Sequence, residues 1–325
     1  MNHPRMLMIL TENNTMLDPR DMRGLVELAR IAEDTGFDAV MVSEQTMLGP
    51  QSAANGLMPN PRMYAAIGNQ DPMTPWPSSI ATLAAVASAT NRVRVVAGAI
   101  IPPLRHPVLL AKDLATVDLL AEGRLVVQPT VSWQRAEYDA YGIPFGERGK
   151  ILDEHLEAMH RLWTTSPASF TGDYFSFEDV YSEPKPWRQE GPTMWFGGES
   201  MHEALVRRIS RFGSGFHPFG APTVEDLRIL ADGLSVRGRE LGELELVGGT
   251  RATFQRADDV ADVDEAMADF DQQVEAGYTT FCMKPSQYTD DFGQVGGICE
   301  RMVARCAQLE VGDLSDRLLP NDRGD

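Results

Sequence analysis

The sequence predicts an α/β protein folded as a closed (β/α)8 barrel, and three observations predict it. Apolar strand-like runs alternate with helical patterns almost throughout, and eight such units can be counted. They occupy roughly 310 residues, a length that suits one barrel with insertions. The turn after the first strand, TENNTMLDP (11–19), lacks the G-x-G-x-x-G of a dinucleotide-binding open sheet, which leaves the doubly wound sheet as the alternative.

The elements follow in order. MLMILT (6–11) is the first strand. Asp18-Pro19 then offers an N-cap followed by proline at the first helical position. Leu25, Leu28, Ala29 and Ala32 recur with the spacing of a buried helix face, and Gly36 ends that helix. DAVMVSE (38–44) is the second strand. Residues 45–76 break the rhythm with Pro, Gly, Asn and Met, and a loop of that length in a compact domain is usually functional. Met47, Met58, Met63, Tyr64 and Trp76 make it a candidate lid over an apolar substrate, with a dimer-interface loop as the alternative. A helix over 78–90, a strand VRVVAGAII (93–101) and a helix from Pro107 come next. RLVVQPTVSW (124–133) is the fourth strand, and helical pattern covers 134–164 with a break near Gly142–Gly146.

A second excursion, 165–192, contains ASFTGDYFSFE (168–178), which reads as a surface hairpin. TMWFGG (193–198), GSGFHPF (213–219), LELVGGT (244–250) and YTTFCMKP (278–285) supply the last four barrel strands. Helices near 200–211, 223–241, 262–276 and 292–309 follow them. The insertions thus lie after strand two and before strand five, within one domain over 1–310. The polar end, 311–325, reads as a flexible tail.

Composition narrows the function. The net charge is −18, so no basic field exists to displace counterions from nucleic acid. No stretch nears the ~20 apolar residues of a membrane span, and the N-terminus has too short an apolar run for a secretory signal. Cys282, Cys299 and Cys306 show no metal-type spacing and read as reduced thiols of a cytoplasmic protein. No carboxylate–histidine cluster has metal-ligand spacing either.

The fourth strand carries the first functional signal. Side chains alternate along a strand, so Gln128, Thr130 and Ser132 share one side and Val127, Pro129 and Val131 the other. Pro129 cannot donate to a ladder and suits a bulge or strand end. With the polar set turned into the barrel, the segment is a wall of a site at the strands' C-terminal ends, where barrel enzymes do their chemistry. Other polar strand ends agree: Ser43-Glu44-Gln45, Gly197-Gly198-Glu199-Ser200, His217 and Thr250-Arg251. His217 ends strand six facing the mouth and is a candidate substrate or cofactor contact. Arg105, Arg251 and Lys284 sit at or past strand ends and could receive anionic groups. His106 shapes the loop after strand three, and His155, His160 and His202 lie on helices away from the site.

With these strand ends assembled, the chain resembles the bacterial luciferase-like superfamily of flavin- and deazaflavin-dependent oxidoreductases. The likeness is densest in IIPPLRHPVLLAKDLATVDLLAEGRLVV (100–127), YGIPFGERGKILDEHLEAMHRLW (141–163), YFSFEDVYSEPKP (174–186) and WFGGES (195–200). The pattern is most similar to the branch dependent on coenzyme F420, a deazaflavin, with FMN as the alternative cofactor. The resemblance implies catalytic roles around Glu44, Gln45 and His217. It implies cofactor contacts from Ser43, Gly98, Ala99, Ile100, Gln128, Thr130, Ser132 and Trp133. Gly197, Gly198, Glu199 and Ser200 match the turn that binds the cofactor phosphate, here with backbone N–H groups at a helix start. A bulge or cis peptide is expected near Ala99-Ile100. Thr11, Trp76, Arg251 and Lys284 are candidate substrate contacts, and a homodimer is the implied assembly.

Two departures from the family pattern stand out. Relatives often carry histidine after Ser-Glu or Ser-Asp at the end of strand two. Gln45 stands there and cannot exchange a proton near neutral pH, so Glu44 could inherit that role. Relatives commonly have Gly-x-Gly-x-Gly-Trp where this chain has Gln128 to Trp133, and the luciferase branch has an arginine for the flavin phosphate at Val131. The expected function is F420-dependent hydride transfer to or from a small, largely apolar substrate. The alternatives are an FMN-dependent monooxygenase fed by a partner reductase, a cofactor binder without turnover, and a cofactor-free hydrolase using Glu44 and Glu199.

Overall fold

The computed structural model describes residues 3–220 and 222–311. The expected tail, apart from Val311, lies outside the described residues. Eight runs pair in parallel and close on themselves: β1 (Arg5–Ile9), β2 (Ala39–Val42), β3 (Arg94–Ile100), β4 (Leu125–Pro129), β7 (Thr193–Phe196), β8 (Gly215–Phe216), β9 (Glu245–Gly249) and β10 (Thr280–Met283). β10 returns to β1, with Arg5 opposite Thr280 and Met8 opposite Met283. The hairpin of β5 (Ala168–Thr171) and β6 (Ser176–Val180) is antiparallel and separate from the barrel.

The strands are apolar on both faces because each face meets a different layer. Met6, Met8, Val40, Val95, Val127, Phe196 and Phe281 pack with residues of the outer helices. The alternate set, Leu7, Ile9, Met41, Val96, Val126, Trp195 and Val247, fills the barrel interior. The outer helices are α1 (Met22–Asp34), α2 (Ser79–Ala89), α3 (Pro107–Leu120), α4 (Arg135–Tyr141), α5 (Arg148–Thr164), α6 (Glu203–Phe212), α7 (Val224–Ser235), α8 (Val263–Ala266), α9 (Phe270–Glu275) and α10 (Val295–Cys306). Cys299 and Cys306 are buried on α10, on the face it shares with Val295 and Met302.

Polar side chains close the bottom of the barrel, at the strands' first residues. Arg94 donates to both oxygens of Glu245, at 2.7 and 2.8 Å, and to Asp38. Arg5 reaches Glu245 at 3.0 Å, Thr280 donates to it, and the Arg94 guanidinium lies 5.1 Å from the centre of the Trp195 ring. A charged plug therefore lies under an apolar middle layer, and the open end is left for the site.

Several boundaries differ from the sequence reading. α1 starts at Met22, capped by Asp21, whose Oδ1 accepts from Gly24 N at 2.8 Å. Asp18 is no cap, because it is turned onto Arg20. The fourth barrel strand stops at Pro129 rather than Trp133, since the ladder fails at the proline and Ser132 adopts φ 56°. The sixth is only two residues long, and the segment 262–276 is two short helices instead of one.

Candidate active site

Strand alternation delivers a polar layer at the open end. Gln128 points inward from β4 and its Oε1 accepts from His217 Nδ1 at 3.1 Å. That bond puts the proton on Nδ1 and leaves Nε2 facing the Cys282 thiol, 3.9 Å away. Burial pushes His217 down to about 4, so the imidazole is neutral, and pushes Cys282 up to about 11. On β10 the period of two continues: Thr280, Cys282 and Lys284 face the interior in turn. Burial also lowers Lys284, opposed by the charge of Glu12 from the loop after β1, while burial raises Glu12. Cys282 and Glu12 join this layer without having been singled out as site residues by sequence, and Tyr64, expected as part of the candidate lid, stands beside Lys284. The alternation in TTFCMKP was the signal available for Cys282.

Two interior glycines are required by close approach. A Cβ at Gly197 would lie 2.5 Å from the His217 carbonyl oxygen and 3.0 Å from Gln128 Nε2. One at Gly98 would lie 2.5 Å from Met41 Sδ. The β3–β4 register shifts between Gly98 and Ile100, and the Gly98–Ala99 peptide is cis, so the expected irregularity lies one peptide before Ala99-Ile100. Thr130 N donates to Ile100 O at 2.8 Å, tying the two strand ends together.

Other expected residues are employed elsewhere. Glu44 is buried in an ion pair: Arg105 reaches it at 2.5 and 2.9 Å, Ile101 N donates to it at 2.7 Å, and Ser79 also donates. A carboxylate with both oxygens so occupied is a tie between strand ends, and this also removes Arg105 as a free anion receptor. The Gln45 amide nitrogen, oriented to satisfy its surroundings, donates to the Glu137 carboxylate at 3.1 and 3.3 Å. Ser132 Oγ donates to the same carboxylate at 2.9 Å, so it turns onto α4 instead of into the mouth. Arg251 is largely exposed and paired with Asp269 at 2.5 Å. Thr11 Oγ1 accepts from Ser43 N at 3.2 Å, joining β1 and β2 beside the mouth. Trp133 is half-buried, and the Trp76 indole N–H is buried without a partner among the described residues.

The WFGG turn also differs from expectation. α6 starts at Glu203, capped by His202, so Gly197 to Ser200 precede the helix by a full turn. His202 is thus a cap, its Nδ1 accepting from Leu205 N. The N–H groups of Gly198, Glu199 and Ser200 have no partner among the described residues, and three free donors in succession suit an anion without any helix.

The insertion folds back across the mouth. Near its start Glu137 accepts from Thr46 N at 2.7 Å and Thr46 Oγ1 at 3.1 Å. Farther along, Asn60 Nδ2 donates to Arg256 O and Asp259 O, and Arg62 pairs with Asp290. Met63 O accepts from Lys284 Nζ at 2.9 Å, and the Tyr64 ring lies 5.3 Å from that nitrogen. The segment therefore bridges the loops after β9 and β10, as a lid would.

The fold is a closed (β/α)8 barrel of eight parallel strands with polar strand ends at its open end, the end at which enzymes of this class carry their sites. The family model described as luciferase-like monooxygenase matches residues 5–293, and the chain belongs to that family. It is an oxidoreductase. A Mycobacterium tuberculosis protein is 30% identical over 220 residues, 65% of this chain and 74% of that one. An FMNH2-dependent dimethylsulfone monooxygenase of Pseudomonas putida is 27% identical over 225 residues, 68% of this chain and 55% of the relative. Two solved structures share the fold. A monooxygenase of Streptomyces bottropensis has TM-score 0.72 at 20% identity, covering 94% of this chain and 98% of that one. The coenzyme F420 dependent tetrahydromethanopterin reductase of Methanopyrus kandleri has TM-score 0.66 at 13% identity, covering 94% and 99%.

Proposed function

We propose that the barrel mouth binds a flavin-type cofactor, with coenzyme F420 as first choice, and that the enzyme moves a hydride to or from a small, largely apolar organic substrate. The observation that carries this reading is the polar set at the strand ends: the His217–Gln128 pair and, next to it in the chain past Gly197, three free N–H groups at Gly198–Ser200. An uncharged imidazole and an amide suit the neutral, hydrogen-bonding edge of a heteroaromatic ring. The three N–H groups suit a phosphate.

The bound deazaflavin would supply a hydride donor or acceptor at its ring C5, the chemistry being the cofactor's own. The chain's residues hold and shield. Gly98, Ala99 and Ile100 would back the ring where the β3–β4 register shifts. Gln128 fixes the His217 tautomer, so that Nε2 is presented as an acceptor. Ser43, Thr130 and Trp133 stand at the rim of the ring site, Thr11 and Trp76 beside the substrate, and the insertion excludes water. Neither Gln45 nor Glu44 carries a proton in this scheme, because both are held in structural contacts.

The preference for F420 rests on the sequence pattern over 100–200 and on Val131, where the luciferase branch has its phosphate-binding arginine. A second reading, an FMN-dependent monooxygenase supplied by a partner reductase, is favoured by the dimethylsulfone monooxygenase relative. Parallel fluorescence titrations with FMN and with F420, each oxidised and reduced, test the proposal. Tight binding of the deazaflavin alone supports hydride transfer. Preference for reduced FMN moves the enzyme to oxygen chemistry, and binding of neither removes the cofactor reading.

A further inference from the structure

Lys284 is the one lysine buried among the described residues, at 1% exposure. A buried ammonium is costly unless its hydrogens are satisfied. It has three N–H donors, and one is used, by Met63 O at 2.9 Å. It forms no ion pair among the described residues, although Glu12 acts on it from the loop after β1. The Tyr64 ring flanks it at 5.3 Å. By strand alternation it stands one layer above Cys282, whose thiol faces His217. A charged group with two unused donors therefore overlooks the His217–Cys282 floor, under the inserted cover.

We infer that Lys284 is the anchor for a substrate oxygen, and that the substrate is a small apolar molecule bearing one carboxylate. The assignment rests on the reading of the mouth as the substrate site. The carboxylate lies on the side of Lys284 Nζ away from Met63 O, which keeps its own bond, and accepts from the two unused N–H groups. The apolar body extends over Cys282 toward His217. The same ammonium could instead receive an anionic oxygen of the cofactor, and the test separates the two sources.

The probe is sodium benzoate, compared with benzyl alcohol by calorimetry on the cofactor-free protein. A charge-assisted bond predicts benzoate binding at least about tenfold tighter than the neutral analogue. Lys284→Met should abolish that preference. Since this variant also loses the Met63 contact, a crystal soaked with 4-bromobenzoate provides a second readout in the unaltered protein: anomalous bromine signal in the mouth, with the carboxylate on Lys284. Equal affinity for benzoate and benzyl alcohol overturns the assignment, as does bromine signal away from Lys284. Loss of benzoate binding when FMN or F420 saturates the protein would give the ammonium to the cofactor and overturn the substrate role. Benzoate selectivity with no cofactor binding would sink the proposed function while leaving the anion site standing.

Discussion

His217 and His155 are neutral for the same reason: each sits where a charged imidazole would lose its water. Burial pushes His217 to about 4 and His155 to about 3. An unfolded chain titrates its histidines near 6.5. Above that value neither state is charged and the groups cost nothing. As pH falls below it, the unfolded chain binds protons that the folded chain refuses, so stability is lost until the folded values are reached. His155 is fully buried on α5 with its ring 4.7 Å from Phe175. His155→Phe should shrink the stability lost between pH 7 and 5 by about 2 kcal/mol, read from urea midpoints at the two pH values. Gly197 is a second residue-level case. Gly197→Ala sets a Cβ against the His217 carbonyl, a backbone atom that cannot swing away. The expected cost is about 1–3 kcal/mol, read from urea midpoints, with a loss of cofactor affinity in the same variant.

At the scale of elements, Glu137 joins the start of the insertion to the segment between β4 and α4, some ninety residues further along the chain. It is fully buried on α4 and accepts from Thr46, Met47, Ser132 and Gln45. Burial pushes its carboxyl up, opposed by the bond from Thr46 N. Glu137→Ala strands several buried donors and frees the root of the insertion. A loss of about 2–3 kcal/mol is expected, with faster proteolytic cleavage within 45–76; unchanged cleavage would show that the cover is held elsewhere. The same hub explains why Gln45 and Ser132 were misplaced by sequence. Their position after a strand suggested the mouth, but the partner of Gln45 lies more than ninety residues away where no local pattern reports it, and Ser132 leaves the strand's alternation at a positive φ of 56° and turns to Glu137 five residues on. The strands themselves were legible, because an apolar run needs no knowledge of its partner to be recognised as buried. The helix starts at Met22 and Glu203 were less so, since Asp18-Pro19 and the glycine turn mimic caps that the chain supplies a few residues later.

For the whole molecule, the barrel separates stability from function along its axis. The closed end is held by Arg94, Glu245, Asp38, Arg5 and Thr280, and the open end carries the neutral donors and the cover. Alternation made the interior positions of both ends readable, yet only the structure pairs Arg94 with Glu245. Arg94→Met would leave Glu245 buried with too few partners, for an expected loss of about 3–5 kcal/mol. Cofactor affinity measured well below the melting transition should stay unchanged, because the plug lies a full layer beneath the mouth. The claim on which the rest depends is the location of the ring, and a crystal structure of the protein with reduced F420 tests it most directly. The account predicts the ring against Gly98–Ile100 with His217 and Gln128 at its edge and the phosphate on the Gly198–Ser200 N–H groups. A cofactor bound outside the barrel mouth would contradict it.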